Sequence, residues 1–197
     1  MSRTPSTMLA LGTVAPTFSL TEPASGKTIA LDDLRGEPGL LVVFWSNHCP
    51  YVKHIQRHFT DLARRYQERG LSIVAINAND VAGYPDDSPE KMAEAVGALG
   101  FTFPYLFDET QETAKVYRAA CTPDFFLFDG ERRLVYRGQY DDARPGNDIP
   151  VSGRDLAAAI DALLDEVPIS ADQRPSLGCN IKWRAGNEPD YFGQPTA

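Results

Sequence analysis

A chain of 197 residues, 43% of them apolar, is long enough for one well-buried core and a little longer than a minimal domain needs. Its net charge of −8 argues against nucleic acid or an anionic membrane as partner, and no basic run offsets that balance. Three cysteines are too few for a disulfide framework and lack the paired spacing of a zinc site, so each is either an inert core thiol or a redox-active one.

The opening MSRTPSTMLALGT has no apolar run of signal-peptide length, and no segment reaches membrane-spanning length, which makes the cytoplasm the expected location. Phe18–Leu20 and Thr28–Leu31 read as short extended segments around a Ser25-Gly26-Lys27 turn. Leu40–Trp45 is continuously apolar, as a central strand buried on both faces must be. From Pro50 to Arg69 the apolar residues Val52, Ile55, Phe59, Leu62 and Tyr66 recur at helical steps, and Gly70 ends the run. Leu71–Asn77 is the next strand, so the strand–helix–strand order predicts a parallel pair with a right-handed crossover.

Ser88-Pro89 opens a helix to about Leu99, with proline at the first helical position. Tyr105–Phe107 is a short strand, and Asp108 with Gln111 resembles a capping box for a helix ending near Tyr117. Phe125–Phe128 and Leu134–Arg137 flank Asp129-Gly130, a hairpin signal. Ser152 with Asp155 is expected to cap a last helix whose buried stripe is Leu156, Ile160, Leu163 and Leu164. The chain then divides: residues 1–166 form the domain, and residues 167–197 form an extended tail. Prolines and glycines preclude long regular elements in the tail, while Leu177, Ile181, Trp183, Tyr191 and Phe192 are apolar enough to lie on the domain.

Cys49 stands where the central strand hands over to the first long helix, in FWSNHCPYVK. With Pro50 at the first helical position, Cys49 lies at the cap, where unpaired N–H groups and the positive end of the helix dipole favour a thiolate. A protonated His48 beside it would lower the thiol pKa further. Strand-to-helix junctions at the carboxyl edge of a sheet are where open α/β folds expose their sites. Asn79-Asp80 belongs to that same edge, either as part of a pocket or simply as polar loop. His54 and His58 share a metal-compatible spacing, but with no third ligand evident they read as a solvated helix face.

The opening GTVAPTFSLTEPASGKTIALDDLRGEPGLLVVFW resembles the alkyl hydroperoxide reductase/thiol-specific antioxidant (AhpC/TSA) branch of the thioredoxin superfamily. FWSNHCPYV, CTPDFFLFD and GCNIKW are similar to its peroxiredoxin-like subgroup. The resemblance covers nearly the whole chain. It implies an α/β thioredoxin fold, a central mixed sheet with helices on both faces and an added N-terminal hairpin. Cys49 takes the position of thioredoxin's first cysteine and Val52 that of the second, so the local dithiol is absent; Val43 replaces thioredoxin's buried aspartate. Against the peroxiredoxin signature, Ser46 stands in for a threonine and Val42 replaces the proline.

The resemblance also makes Thr122–Pro123 a candidate cis bond facing Cys49. Cys121, two residues earlier, is then either a resolving thiol or a small buried residue at a strand start. Cys179, in the tail, reads as structural because nothing local activates it, the alternative being that the tail folds back and brings it to the site as the resolving thiol. The expected activity is thiol-dependent oxidoreduction with Cys49, His48 and Cys121 as catalytic residues, and Ser46, Asn47, Thr122 and Pro123 positioning a disulfide or peroxide substrate. No metal or organic cofactor is implied, and electrons would come from an external thiol reductant. An antioxidant peroxidase and a non-catalytic redox sensor or binding module, switched by Cys49 and Cys121, are the alternatives.

Overall fold

The computed structural model describes residues 3–35 and 37–193. Its main sheet grows outward from the apolar run noted above. That run forms β4 (Gly39–Phe44), every residue of which is buried. Alternation sends Leu41 and Val43 to one face of the sheet and Leu40, Val42 and Phe44 to the other, so each face has its own core.

In chain order the strands are β1 (Arg3–Pro5), β2 (Ser19–Glu22), β3 (Lys27–Ala30), β4, β5 (Ser72–Asn77), β6 (Tyr105–Phe107), β7 (Cys121–Thr122), β8 (Asp124–Asp129), β9 (Leu134–Gly138) and β10 (Leu177–Asn180). The helices are α1 (Pro50–Gln67), α2 (Pro89–Leu99), α3 (Glu112–Val116) and α4 (Arg154–Leu164). The main sheet has the order β3-β2-β6-β5-β4-β8-β9. β5 is parallel to β4 and β6 to β5, whereas β8 runs antiparallel to β4 and β9 to β8. β2 and β3 form the added N-terminal hairpin. The fold is therefore a mixed α/β sheet of thioredoxin type.

Residues of α1, α2 and α4 share a core with Leu41 and Val43, while α3 and Tyr117 pack on the opposite face with Phe44 and Phe126. Phe59 of α1 is the hinge of the first core, with ring centroids 5.1 Å from Trp45, 5.6 Å from Phe103 and 5.8 Å from Phe125. Its truncation to alanine is worth about 3–5 kcal/mol.

Two caps differ from the expectation. Asp108 does not begin α3; the chain turns once more, Gln111 adopts a left-handed φ of 67° as the N-cap, and Asp108 accepts from Ala114 N at 2.8 Å. Gln111 is thereby freed to reach the tail, donating to the carbonyls of Ala78 and Lys182. At α4 the N-cap is Gly153 (φ 63°) rather than Ser152. A side chain at Gly153 would run into Tyr140 and Leu62, and Asp141 holds the turn by accepting from Ser152 N and Gly153 N, each at 2.7 Å.

The tail supplies an element that composition did not reveal. β10 sits between β1 and β7 in a second, three-stranded antiparallel sheet. Beyond it Ile181 and Tyr191 are buried, and the Tyr191 hydroxyl donates toward the carbonyls of Ala114 and Ala119.

Candidate active site

β4 ends at Phe44 and α1 begins at Pro50, so residues 45–49 form the connection, and Cys49 is the N-cap of α1 with extended backbone (φ −66°, ψ 122°). Its side chain is fully buried. The Cys49 amide donates to Ser46 Oγ at 3.2 Å, and the Cys49 thiol lies 3.1 Å from the carbonyl oxygen of Thr122. The Thr122–Pro123 peptide is cis.

The Cys49 thiol is lowered to about 6, first by a hydrogen bond from the Cys179 thiol. Burial opposes ionisation, and hydrogen bonds from the Thr122 side chain and from the amides of Val52 and Cys179 favour it. The helix N-terminus acts in the same direction through the Val52 amide. The contact with the Thr122 carbonyl belongs to the protonated thiol, which alone has a hydrogen to donate.

The partner of the Cys49 sulfur is thus Cys179, not Cys121. Register explains why. Cys179 pairs with Thr122, and Asn180 pairs with Cys121. Cross-strand partners share a face and neighbours along a strand alternate, so Cys179 joins Thr122 on the Cys49 side while Cys121 points the other way. The Cys121 thiol is directed at the Pro123 carbonyl (3.6 Å) and is pushed well up by burial and by the charge of Asp124. All three cysteines are present as thiols.

His48 also departs from its expected place. Its Nδ1 meets Asp87 Oδ2 at 2.5 Å, and its ring stacks on Tyr84 with centroids 4.9 Å apart. The hydrogen bonds to the Cys49 sulfur come from elsewhere. Asp87 is the residue that sequence reasoning missed. Fully buried, it accepts from Asn47 N (2.6 Å), from Asn79 Nδ2 (2.7 Å) and from Ser46 Oγ (3.1 Å) as well as facing His48. Burial works against its charge, but the hydrogen bonds from His48 and Asn79 outweigh it, and the carboxyl is held below its usual value.

Ser46, fully buried, therefore holds the loop and has no surface to offer a substrate. Asn47 is likewise spent on the scaffold, donating to the Asp86 carbonyl at 2.9 Å and accepting from Tyr105 OH at 3.2 Å. Asn79 ties this loop to the tail, its Oδ1 accepting from Lys182 N at 2.8 Å.

His58 is not a solvated face residue; its Nδ1 lies 2.6 Å from Tyr140 OH, and both it and His54 are half-buried. No group of three or more potential metal ligands occurs among the described residues, and none of their helices is long and apolar enough to cross a membrane. Surface grooves of about 420 Å³ beside α4 and about 470 Å³ beside β2 do not border Cys49. A small cleft of about 20 Å³, room for roughly one water, opens between Tyr51, Pro123 and Leu177.

A cysteine caps the helix that follows the central strand and is set against a cis-proline loop, and the chain's relatives are named thiol-disulfide oxidoreductases, which makes it an oxidoreductase of the thioredoxin fold. The family model described as AhpC/TSA matches residues 11–137, and the chain belongs to that family. Thiol-disulfide oxidoreductase ResA of Geobacillus thermodenitrificans is 32% identical over 126 residues, which are 64% of this chain and 67% of that one. An uncharacterized conserved protein from Geobacillus kaustophilus has a solved structure that superposes with a TM-score of 0.91 at 50% identity, covering 93% of this chain and 97% of the other. A putative thiol:disulfide interchange protein DsbE from Chlorobium tepidum, 21% identical, shares the fold alone, with a TM-score of 0.62 over 79% of this chain and 99% of that one.

Proposed function

We propose that the protein catalyses thiol–disulfide exchange, with Cys49 as the attacking thiolate. The observation that carries this reading is the set of donors converging on one sulfur at a helix N-terminus: the Cys179 thiol, the Thr122 hydroxyl and the amides of Val52 and Cys179. Donors so placed stabilise the thiolate, which is the nucleophile in exchange. Attack on a substrate disulfide forms a mixed disulfide on Cys49 and releases one substrate thiolate. Asp87 is a positioning residue, holding Ser46, Asn47 and His48 so that Cys49 stays at the cap. Thr122 and Pro123 form the wall against which the substrate backbone lies. The ResA relatives support the same reaction class by name.

Cys49 is fully covered by its surroundings. A disulfide substrate therefore gains access as residues 177–179, which lie against the cis-proline loop, move aside. A peroxidase reading is less well supported, because the Ser46 hydroxyl engages Cys49 N and Asp87 rather than the sulfur, leaving nothing on that side to hold a peroxide oxygen. We place the protein in the cytoplasm, where cellular dithiols would return it to the reduced state.

Stopped-flow mixing of reduced protein with a model aryl disulfide and, separately, with hydrogen peroxide tests the reading. Faster thiolate consumption by the disulfide, abolished in Cys49→Ser, is the expected result. A faster reaction with peroxide, followed by sulfenic acid on Cys49, would transfer the protein to the antioxidant peroxidases. Oxidation without turnover under any dithiol reductant would make it a redox sensor.

A further inference from the structure

We propose that Cys179, carried on the tail strand β10, is the resolving thiol: it attacks the mixed disulfide on Cys49 and closes a Cys49–Cys179 disulfide within one chain. The proposal rests on Cys49 being the nucleophile and supplies the second half of its reaction. Its first support is contact. The Cys179 thiol is hydrogen-bonded to the Cys49 sulfur, so the two sulfurs already face each other. Bridging requires side chains that approach in this way, and neither α1, where Val52 has no thiol, nor Cys121, directed at Pro123 O, offers one.

The second support is the way β10 is held. Gly178 faces the cis-proline loop so closely that a Cβ there would overlap the Thr122 carbonyl, so only glycine lets the strand lie on the site. On one side Arg3 pairs with Cys179 in β1, and on the other Thr122 pairs with it in β7. Beyond the strand, Lys182 is gripped from both sides: its amide donates to Asn79 Oδ1, and its carbonyl accepts from Asp80 N at 2.8 Å and from Gln111 Nε2 at 2.9 Å. A four-residue strand fixed at three places, with its cysteine on the nucleophile, does more than cover the core.

The third support is an ordering built into the charges. In the reduced protein the Cys179 thiol is held protonated, chiefly by its hydrogen bond to Cys49 and then by burial and the Cys49 charge. Once Cys49 is in a mixed disulfide that charge is gone, and the Lys182 ammonium, which favours the thiolate, remains. Cys179 therefore becomes easier to ionise, and a better nucleophile, once Cys49 has reacted. The Cys49 thiolate attacks a disulfide R–S–S–R, breaking its S–S bond and expelling RS⁻. Cys179 loses its proton to that thiolate and attacks Cys49 Sγ, forming the protein disulfide and expelling the second RS⁻, which takes its proton from solvent. The substrate disulfide gains two electrons and becomes two thiols; an external dithiol then reduces the Cys49–Cys179 bond.

Reaction of the reduced full-length protein with dithionitrobenzoate, followed by non-reducing peptide mapping, tests this. Wild type and Cys121→Ala are expected to release both halves of the reagent and yield a Cys49–Cys179 peptide. Cys179→Ala and Cys179→Ser are expected to release one half and retain the other on Cys49. A Cys49–Cys121 peptide, or an adduct on Cys49 equally long-lived in wild type, would overturn the proposal while leaving Cys49 as nucleophile. Labelling that spares Cys49 in every protein would overturn both. The wild-type map stands without any variant, so misfolding of a substituted chain does not blunt the test.

Discussion

Asp87 and His48 meet at 2.5 Å beneath the loop that carries Cys49, although 39 residues separate them in sequence. The carboxylate lies under the last turn before α2 and gathers the loop from Ser46 to His48 onto the sheet edge. The reactive position thus depends on a buried charge that is well supplied with donors. Replacing Asp87 with alanine leaves those donors buried and unpaired, and is expected to cost about 3–5 kcal/mol. Because the Asp87 carboxyl is held below the ordinary aspartate value of about 3.9, its contribution is complete above that pH and fades as pH falls through the lower folded value. Thermal melts from neutral pH into the acid range should show the acid loss of stability weakened in Asp87→Asn.

Gly178→Val tests the fit of β10. The added side chain would collide with the Thr122 carbonyl, forcing residues 177–179 off the site. Iodoacetamide labelling of Cys49 at a pH where it is ionised in both proteins should be faster in the variant by about an order of magnitude or more, since access alone then differs. Unchanged labelling would mean that β10 does not cover the sulfur.

Asp124, fully buried, has its carboxyl pushed up to about 7 by burial, against the hydrogen bond from Ala120 N. A raised folded pKa means that the native chain binds the proton more tightly than the unfolded one. Stability should therefore fall as pH rises from about 4 to about 7 and level off above. Asp124→Asn removes the charge and is expected to be more stable than wild type at about pH 8, on the order of a few kcal/mol, and similar to it at about pH 4. Chemical denaturation at the two pH values decides the point.

His48 and Cys179 can be separated as influences on Cys49. Cys179 contributes the largest favourable hydrogen bond to the thiolate, whereas His48 is turned to Asp87 and Tyr84. Cys179→Ala should raise the Cys49 titration midpoint by about one unit or more, and His48→Ala should move it by about half a unit or less. The reverse order would restore the histidine to the role its neighbouring position suggests.

Much of the scaffold was legible because local chemistry and tertiary packing agree there. The apolar run of β4, the 3.6-residue stripe of α1 and the Ser88-Pro89 start of α2 each read correctly from a few neighbouring residues. Cys49 at the helix cap followed from Pro50 alone. Asp87 was illegible for the opposite reason. In YPDDSPE it looks like any solvated loop acid, and only closure across some forty residues buries it under Asn47 and His48. β10 was hidden in the same way: four residues flanked by prolines and glycines carry no periodicity, and its partners Arg3–Pro5 and Cys121–Thr122 lie far off in sequence. The reading of Cys121 against Cys179 turned on strand register, which alternation fixes in space but the residue order around a cis-proline loop does not display.

Cys49 acts as nucleophile only as a thiolate, and its ionisation can be read without asking a reagent to reach a buried sulfur. The ultraviolet thiolate absorbance of wild type, followed from acid to neutral pH with Cys121→Ala and Cys179→Ala as controls, reads this group first, because Cys121 and Cys179 are both raised. A single transition centred at about 6 is the predicted result. A midpoint at or above the unperturbed thiol value of about 8.5 would contradict it, and with it the proposal that this helix cap and its donors make Cys49 the nucleophile.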